Sequence, residues 1–338
     1  MPDPAPNNIE RTWRRVRQEA LPQRTFTATG TLTAAVEAAV RQVNTQLLSS
    51  NQVVRNFWPD RDRRGAAERS SLYTMNNCGQ AHTRHRTQPQ GGSAMAQFIH
   101  LEDGAVFHMG QGYSRRLISP DSGGRNITLN YSVFQGGQEF PQHFHEVSAD
   151  IFIVLDGSVS VRQGERYTPI VKGDFAYIPP GEVHGTVNHT DDEATLISFQ
   201  SPPDPELYSG DRDPAKTGVV PQPAAGGEST VRIESMWDAE AAAVQGAQVR
   251  VPAGPARGMA EMTLTCLELA PGGRLEREEQ GGGETVIFIW EGTAQITSGG
   301  ESGRLAHGGA VLLETDEAYA VENVGTDELT LIRCRASA

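Results

Sequence analysis

The sequence predicts a mainly β protein made of two tandem repeats behind a partly helical N-terminal extension. Three observations predict it. From Val106 onward, apolar segments of strand length alternate with glycine and proline, as at 105–109, 116–119, 127–134, 151–155 and 175–178, which is the pattern of short strands joined by turns. The chain also repeats itself. Ile151-Phe152-Ile153-Val154-Leu155-Asp156-Gly157 matches Val286-Ile287-Phe288-Ile289-Trp290-Glu291-Gly292, and the 16-residue step from Gly157 to Gly173 recurs from Gly292 to Gly308. Asn188 lies 15 residues after Gly173, as Asn323 does after Gly308. Finally, 338 residues with 37% hydrophobic content, 36 Gly and 20 Pro suit two turn-rich β units better than a helix bundle.

Residues 1–104 form the extension. A short helix is expected at 9–20, carrying Trp13 and Val16, and a longer one at 32–48, where Leu32, Val36, Val40, Val43 and Leu47 recur at helical steps after Thr31 or Thr33 as N-cap. A second helix after a tight turn, which a helix-turn-helix needs, does not follow Ser50. The polar stretch 75–94 reads as a loop; its Cys78, His82 and His85 lack the fourth ligand and tight frame of a zinc site. The first β unit spans 105–202. In its strand at 127–134, Leu129, Tyr131 and Val133 share one face and Asn130, Ser132 and Phe134 the other, and the sequence does not say which face looks inward. A linker rich in Pro and Gly follows at 203–230, then the second unit at 231–338.

The net charge of −13 argues against a nucleic-acid surface, and acidic residues interrupt the arginines at 55–69. Cys78, Cys266 and Cys334 are odd in number and far apart, so no disulfide framework is expected. The N-terminus has no apolar leader and no run reaches the length of a membrane span. A cytoplasmic protein that binds a small molecule, with no nucleic-acid or membrane partner, is the expectation.

The chemistry concentrates between Gly137 and Asn188. After Gly137 and five further residues stand His143-Phe144-His145, then Asp150 and Gly157; Gly173 leads to Pro179-Pro180-Gly181, His184 and Asn188. His143 and His145, two apart, project from one face if they lie on a strand. His184 follows a Pro-Gly turn, and three converging imidazoles make a metal site. The usual nucleophile-elbow, phosphate-loop and dinucleotide-loop patterns are absent.

This stretch resembles the paired motifs of the cupin superfamily. The second motif, GDFAYIPPGEVHGTVN, fits throughout; the first, GQEFPQHFHEVSADIFIVLDG, differs in having Asp150 where the family usually has the longer glutamate. The resemblance implies two tandem jelly-roll β-barrels, a bicupin. It implies His143, His145 and His184 as ligands, and Asp150 either as the fourth ligand or as a free general base. One divalent transition metal per chain is expected, Fe(II) before Mn, Ni, Cu or Zn. By the repeat, the places of His143 and His145 fall on Glu279 and Gly281, that of His184 on Tyr319, and those of Pro179 and Gly181 on Glu314 and Asp316. The second unit is therefore expected to be scaffold, Glu279 and Glu284 alone making a poor cation site.

The functional expectation is a dioxygenase, an oxidoreductase similar to the quercetinase-like bicupins, which uses O2 on a small, partly apolar molecule. Phe152, Val154 and Thr186, sharing the ligands' faces, and Tyr131 and Tyr177 are the candidate substrate contacts. The alternatives are a redox-neutral decarboxylase, isomerase, lyase or hydrolase with the metal as Lewis acid, and a non-catalytic binding or sensing protein. A homodimer is expected, with the 32–48 helix and the ligand-free unit covering exposed sheet.

Overall fold

The computed structural model describes residues 96–337 apart from 110, 210, 212–213, 225–227 and 279–282. The helices expected at 9–20 and 32–48, the loop 75–94, Glu279 and Gly281 lie outside the described residues.

The first half contains β1 (Gln97–Ile99), β2 (Ala105–Met109), β3 (Gly112–Ile118), β4 (Thr128–Phe134), β5 (Glu139–His143), β6 (Ala149–Asp156), β7 (Ser158–Gln163), β8 (Arg166–Val171), β9 (Asp174–Ile178), β10 (His184–Val187) and β11 (Ala194–Ser201). After two short helices, Pro205–Ser209 and Pro214–Thr217, come β12 (Arg232–Ser235), β13 (Ala242–Val244), β14 (Ala247–Ala253), β15 (Met262–Leu269), β16 (Arg274–Glu278), β17 (Thr285–Glu291), β18 (Thr293–Ser298), β19 (Glu301–Ala306), β20 (Ala310–Leu313), β21 (Ala318–Asn323) and β22 (Leu329–Ala336). The strands form four antiparallel sheets. Two have seven strands, in the orders β12-β9-β6-β11-β4-β3-β2 and β1-β20-β17-β22-β15-β14-β13; two have four, β5-β10-β7-β8 and β16-β21-β18-β19.

The closed jelly-roll barrels expected from the sequence are not what forms. Each of the four sheets is open, ending in edge strands, and each unit is a large sheet facing a small one. The physical reason lies at the corners. The chain leaves β6 for β7 through Gly157 and returns to β9 through Gly173, and the second unit uses Gly292 and Gly308, all at positive φ. These left-handed bends, which glycine adopts without strain, carry the chain between sheets and end the backbone ladder there. Side chains from both sheets, such as Phe152, Val154, Val161 and Ile170, fill the first unit, and Leu267, Ile287, Ile296 and Val321 the second.

The two large sheets also pack against each other. Leu129, Tyr131, Ile151, Phe175, Tyr177 and Phe199 of the first unit form one core with Leu264, Phe288, Trp290, Ile332 and Cys334 of the second. Burying each such side chain contributes about 1.5–3 kcal/mol before entropy is counted, so this middle layer is a principal source of stability. Two strands cross over to join the units: β1 pairs with β20 of the second sheet, and β12 pairs with β9 of the first. Glu284, fully buried, accepts from the backbone N–H groups of Arg125 and Asn126, both at 2.7 Å, and from Arg125 Nε at 3.2 Å. That use takes it out of consideration as a cation ligand.

The repeat holds down to single side chains. Asn188 Nδ2 donates to Phe134 O and Asp192 O, as Asn323 Nδ2 does to Leu269 O and Asp327 O. In one place the register corrects the sequence alignment. His143 pairs with His184 across β5 and β10, whereas Tyr319 pairs with Arg277 across β21 and β16. The place of His143 therefore falls on Arg277 instead of Glu279, because the first unit has a register shift between His184 and Thr186 that the second lacks.

Candidate metal centre

The site is built where the small sheet of the first unit meets β6 of the large one. β5 ends on His143, directly opposite His184 at the start of β10. His145 lies just beyond the strand end, in the loop to β6, and not on the strand as the spacing suggested. It converges all the same, because the Pro179-Pro180-Gly181 turn clips to it: Gly181 N–H donates to His145 O at 2.6 Å, with Gly181 at φ 82°. On the far side of that turn, Thr230 Oγ1 of the linker donates to Glu182 Oε2 at 2.7 Å. The turn that delivers His184 is thus tied at both ends.

The ring centroids of His143, His145 and His184 are 4.4–5.2 Å apart, and their candidate ligand atoms all lie within 4.8 Å of one another. All three are buried, as is Asp150. His143 Nδ1 donates to Pro141 O and His184 Nδ1 to Glu182 O, each at 3.0 Å. Those bonds place the proton on Nδ1 and leave the Nε2 lone pair for a metal, the usual outer support of a ligating histidine. Burial, then the neighbouring His184 and His145, hold His143 well below the usual histidine range, so it is neutral and ready to ligate. The donor set fits a divalent transition metal.

His145 is held differently. Gln200 Oε1 accepts from Asp204 N–H at 2.9 Å, which turns its amide N–H toward His145 Nδ1, also at 2.9 Å. The proton of His145 is thereby assigned to Nε2, which donates to Asp150 Oδ2 at 2.9 Å, and ligation of a metal through Nε2 would displace that proton. Asp204, fully buried, accepts from Glu146 N–H and Glu206 N–H, and its Oδ2 stands 4.0 Å from His145 Nδ1. Burial alone would raise the Asp150 carboxyl, but His145 and then His184 outweigh it and hold it well below the usual carboxylate range. Its Oδ2 lies 3.8 Å from His184 Nε2, while Oδ1 is buried with no hydrogen-bond partner.

A cavity of about 60 Å³ opens on these groups, lined further by Phe107, Phe140, Phe152, Thr186 and Leu196 and by a polar wall. That wall consists of Ser114, Arg116, Asn130, Ser132, Ser198 and Gln200. Of the candidate substrate contacts, Phe152 and Thr186 line it. Val154 shares their face but packs in the core of the unit. Tyr131 and Tyr177 lie on the opposite face, between the units: Tyr131 packs on Phe288 and His307, and Tyr177 Oη donates to Glu261 Oε2 at 2.7 Å. Gln200, Asp204 and Arg116 were missed by the sequence reading. The only sequence signal for the polar wall was polar alternation in β4 and β11, at Asn130 and Ser132 and at Ser198 and Gln200. A wider cleft of about 470 Å³ beside Gln163, Glu182 and Pro223 contains no histidine.

Comparison with known proteins agrees with this geometry. The cupin domain family matches residues 130–199. The tetracenomycin polyketide synthase protein TcmJ of Streptomyces glaucescens is 26% identical over 137 residues, 40% of this chain and 92% of that protein. Among solved structures, a variant of Bacillus subtilis oxalate decarboxylase aligns with a TM-score of 0.57 at 13% identity, over 74% of this chain and 80% of that one. The Lactobacillus farciminis oxalate decarboxylase formate complex gives 0.56 at 13% identity, over 74% and 88%. The expectation of a dioxygenase, and of an oxidoreductase, is corrected by these findings: the bicupins whose fold this chain shares are decarboxylases. Residues 130–199 match the cupin domain family, and the described chain has a bicupin fold with three histidines placed so that they could hold a metal ion.

Proposed function

We propose that the chain is a metal-dependent, redox-neutral enzyme, a decarboxylase or closely related lyase, acting on a small organic acid. The observation that carries this reading is the buried meeting of three imidazoles and an ionised carboxylate in one small cavity. The fold shared with oxalate decarboxylases supports it. His143, His145 and His184 would hold the metal, Mn(II) or Fe(II); the B. subtilis decarboxylase has Mn(II) centres. When bound, the metal supplies a Lewis acid that draws electron density from a carbonyl oxygen.

The chain's own part is proton management. The substrate's acid group binds as its carboxylate; that anion raises the carboxyl of Asp150 by like-charge repulsion, and Asp150, with Oδ1 unengaged, takes up a proton from water. The carbon–carbon bond to that group breaks, carbon dioxide leaves, and the electron pair stays on the carbon. Asp150 then gives its proton to that carbon, so the reaction needs no oxidant or reductant. Burial of the group keeps bulk water from competing for the proton.

The test is anaerobic assay of Mn(II)-loaded protein with a panel of short oxo acids and dicarboxylic acids, following carbon dioxide release. Release without O2, lost in His184→Ala, is the expected result. Fully metal-loaded protein that releases none from the whole panel, or that releases it only with O2, would overturn the reading.

A further inference from the structure

The three imidazoles are not supported alike. His143 and His184 each donate from Nδ1 to the backbone oxygen two residues before them, Pro141 O and Glu182 O, so their Nε2 atoms are ready to ligate. His145 carries its proton on the opposite nitrogen. Its Nε2 and that of His184 both turn to Asp150 Oδ2, at 2.9 and 3.8 Å, so Nε2 is the atom that faces the centre. Its Nδ1 faces two buried side chains instead, Gln200 Nε2 at 2.9 Å and Asp204 Oδ2 at 4.0 Å. Ligation of His145 through Nε2 leaves that nitrogen no proton, and a neutral imidazole then keeps its one proton on Nδ1.

On Nδ1 the proton meets the wrong partner. The Gln200 amide presents its N–H there, and two donors cannot bond each other. Turning the amide over would present Oε1, but Oε1 already accepts from Asp204 N–H at 2.9 Å, and the turned amide would set two N–H groups against each other at that end. The other acceptor at hand is the Asp204 carboxylate. Its Oδ1 accepts from Glu206 N–H at 3.0 Å and its Oδ2 from Glu146 N–H at 3.2 Å. A carboxylate oxygen has two lone pairs, so Oδ2 can accept a second bond. Glu146 directly follows His145, so Asp204 already holds the backbone beside the ring. Imidazole N–H to carboxylate bonds run to about 2.8 Å, so a movement on the order of 1 Å closes the gap. The second unit, which has lost the ligands, has Arg335 in place of Gln200: Thr285 pairs with Arg335 there as Asp150 pairs with Gln200.

We propose that Asp204 is the positioning residue of His145 in the metal-loaded protein: its Oδ2 receives the Nδ1–H of the ligating ring, while Gln200 holds the ring in the other tautomer when no metal is bound. The ring stays neutral throughout. One N–H bond breaks at Nε2 and one forms at Nδ1, and exchange with water carries the proton with none gained or lost overall. The inference rests on the metal centre of the proposed function and not on the reaction assigned to it. The two side chains then act in opposite directions on metal affinity. Asp204 favours the ligating tautomer, as the outer partner of a metal-bound histidine does, and Gln200 opposes it.

The test is Mn(II) affinity, measured by competition with a chelator, for the native protein, Asp204→Asn and Gln200→Leu, with thermal unfolding of each metal-free protein to confirm its fold. Asp204→Asn should bind Mn(II) about 10–100-fold more weakly, the usual loss when the outer partner of a ligating histidine is removed. Gln200→Leu should bind it at least as tightly as the native protein. Asp204→Asn with native affinity overturns the inference, and a weakened Gln200→Leu beside it would make the turned amide the acceptor. NMR on protein whose histidine nitrogens are isotopically labelled gives a readout that needs no variant and that a mere cap of the loop would not move. His145 should be protonated on Nε2 without metal and on Nδ1 with Zn(II). Its Nδ1–H resonance should then lie downfield of those of His143 and His184, which donate to neutral carbonyls. One tautomer of His145 in both states, or an Nδ1–H no further downfield than the other two, overturns the inference as well. Native protein that binds neither Mn(II) nor Zn(II) removes the metal centre and the inference together; the other outcomes leave the centre standing.

Discussion

At the scale of single residues, Asp150 decides the chemistry. It stands where the resemblance implied either a fourth ligand or a base, and the structure gives its two oxygens different work. Oδ2 holds His145 Nε2 at 2.9 Å, and Oδ1 faces no protein donor. Three imidazoles already make a sufficient neutral set, so Asp150→Asn should keep most of its metal while losing turnover by about a hundredfold or more, the scale of a removed acid–base group. Elemental analysis beside the anaerobic assay checks this; a variant purified folded but metal-free would make Asp150 a primary ligand. The histidines and Asp150 were legible because they lie close in sequence, at spacings that two motifs share. Gln200, Asp204 and Arg116 were not, since they reach the site only through the pairing of β11 and β3 with distant strands.

At the scale of elements, what the sequence left open was which face of a strand looks inward. An exposed sheet alternates polar and apolar residues, but the large sheets here lie between a small sheet and each other, so both faces of β4, β6 and β9 are buried. Period-two contrast fades in such strands, and Tyr131 and Tyr177 were placed near the substrate when they face the other unit. The second unit shows the reverse: its loss of ligands was readable, though not in its details. Tyr319 takes the place of His184, and the buried Arg333 donates to Tyr319 Oη at 3.2 Å and to Thr265 Oγ1 at 3.1 Å. A fixed guanidinium beside that position repels a metal cation. Among the described residues one group of metal-ready side chains is present. Metal-replete protein should therefore contain one equivalent per chain, and two equivalents by elemental analysis would show that the second unit also binds.

At the scale of the whole molecule, the repeat suggested two units on a linker, and the structure joins them far more closely. β1 precedes the first unit yet completes the second unit's sheet, and β12 follows the linker yet covers β9 of the first. Neither exchange leaves a mark in the sequence, because a three- or four-residue edge strand carries too little pattern to name its partner. The middle core adds apolar side chains from both units, and Glu284 caps two backbone N–H groups of the other unit. Among the described residues, no helix is long and apolar enough to cross a membrane.

The homodimer expected from the sequence stays a proposal, but the dependence of the two units on each other can be tested directly. A fragment ending at residue 204 keeps His143, His145, Asp150 and His184 of the first unit, yet it loses β12 and bares the outer face of its large sheet. That face presents Ile151, Ile153, Phe175 and Phe199, each fully buried in the intact chain. Exposing them forfeits about 1.5–3 kcal/mol apiece, and native stability is only about 5–15 kcal/mol. The bared edge of β9 is in addition a template for pairing with other chains. The fragment should therefore aggregate, or fold only when the remaining residues are supplied as a second chain. Light scattering and thermal unfolding decide the matter. A soluble monomer with a cooperative transition would mean that the first unit folds alone, and that the second serves the site in some other way than by covering its large sheet.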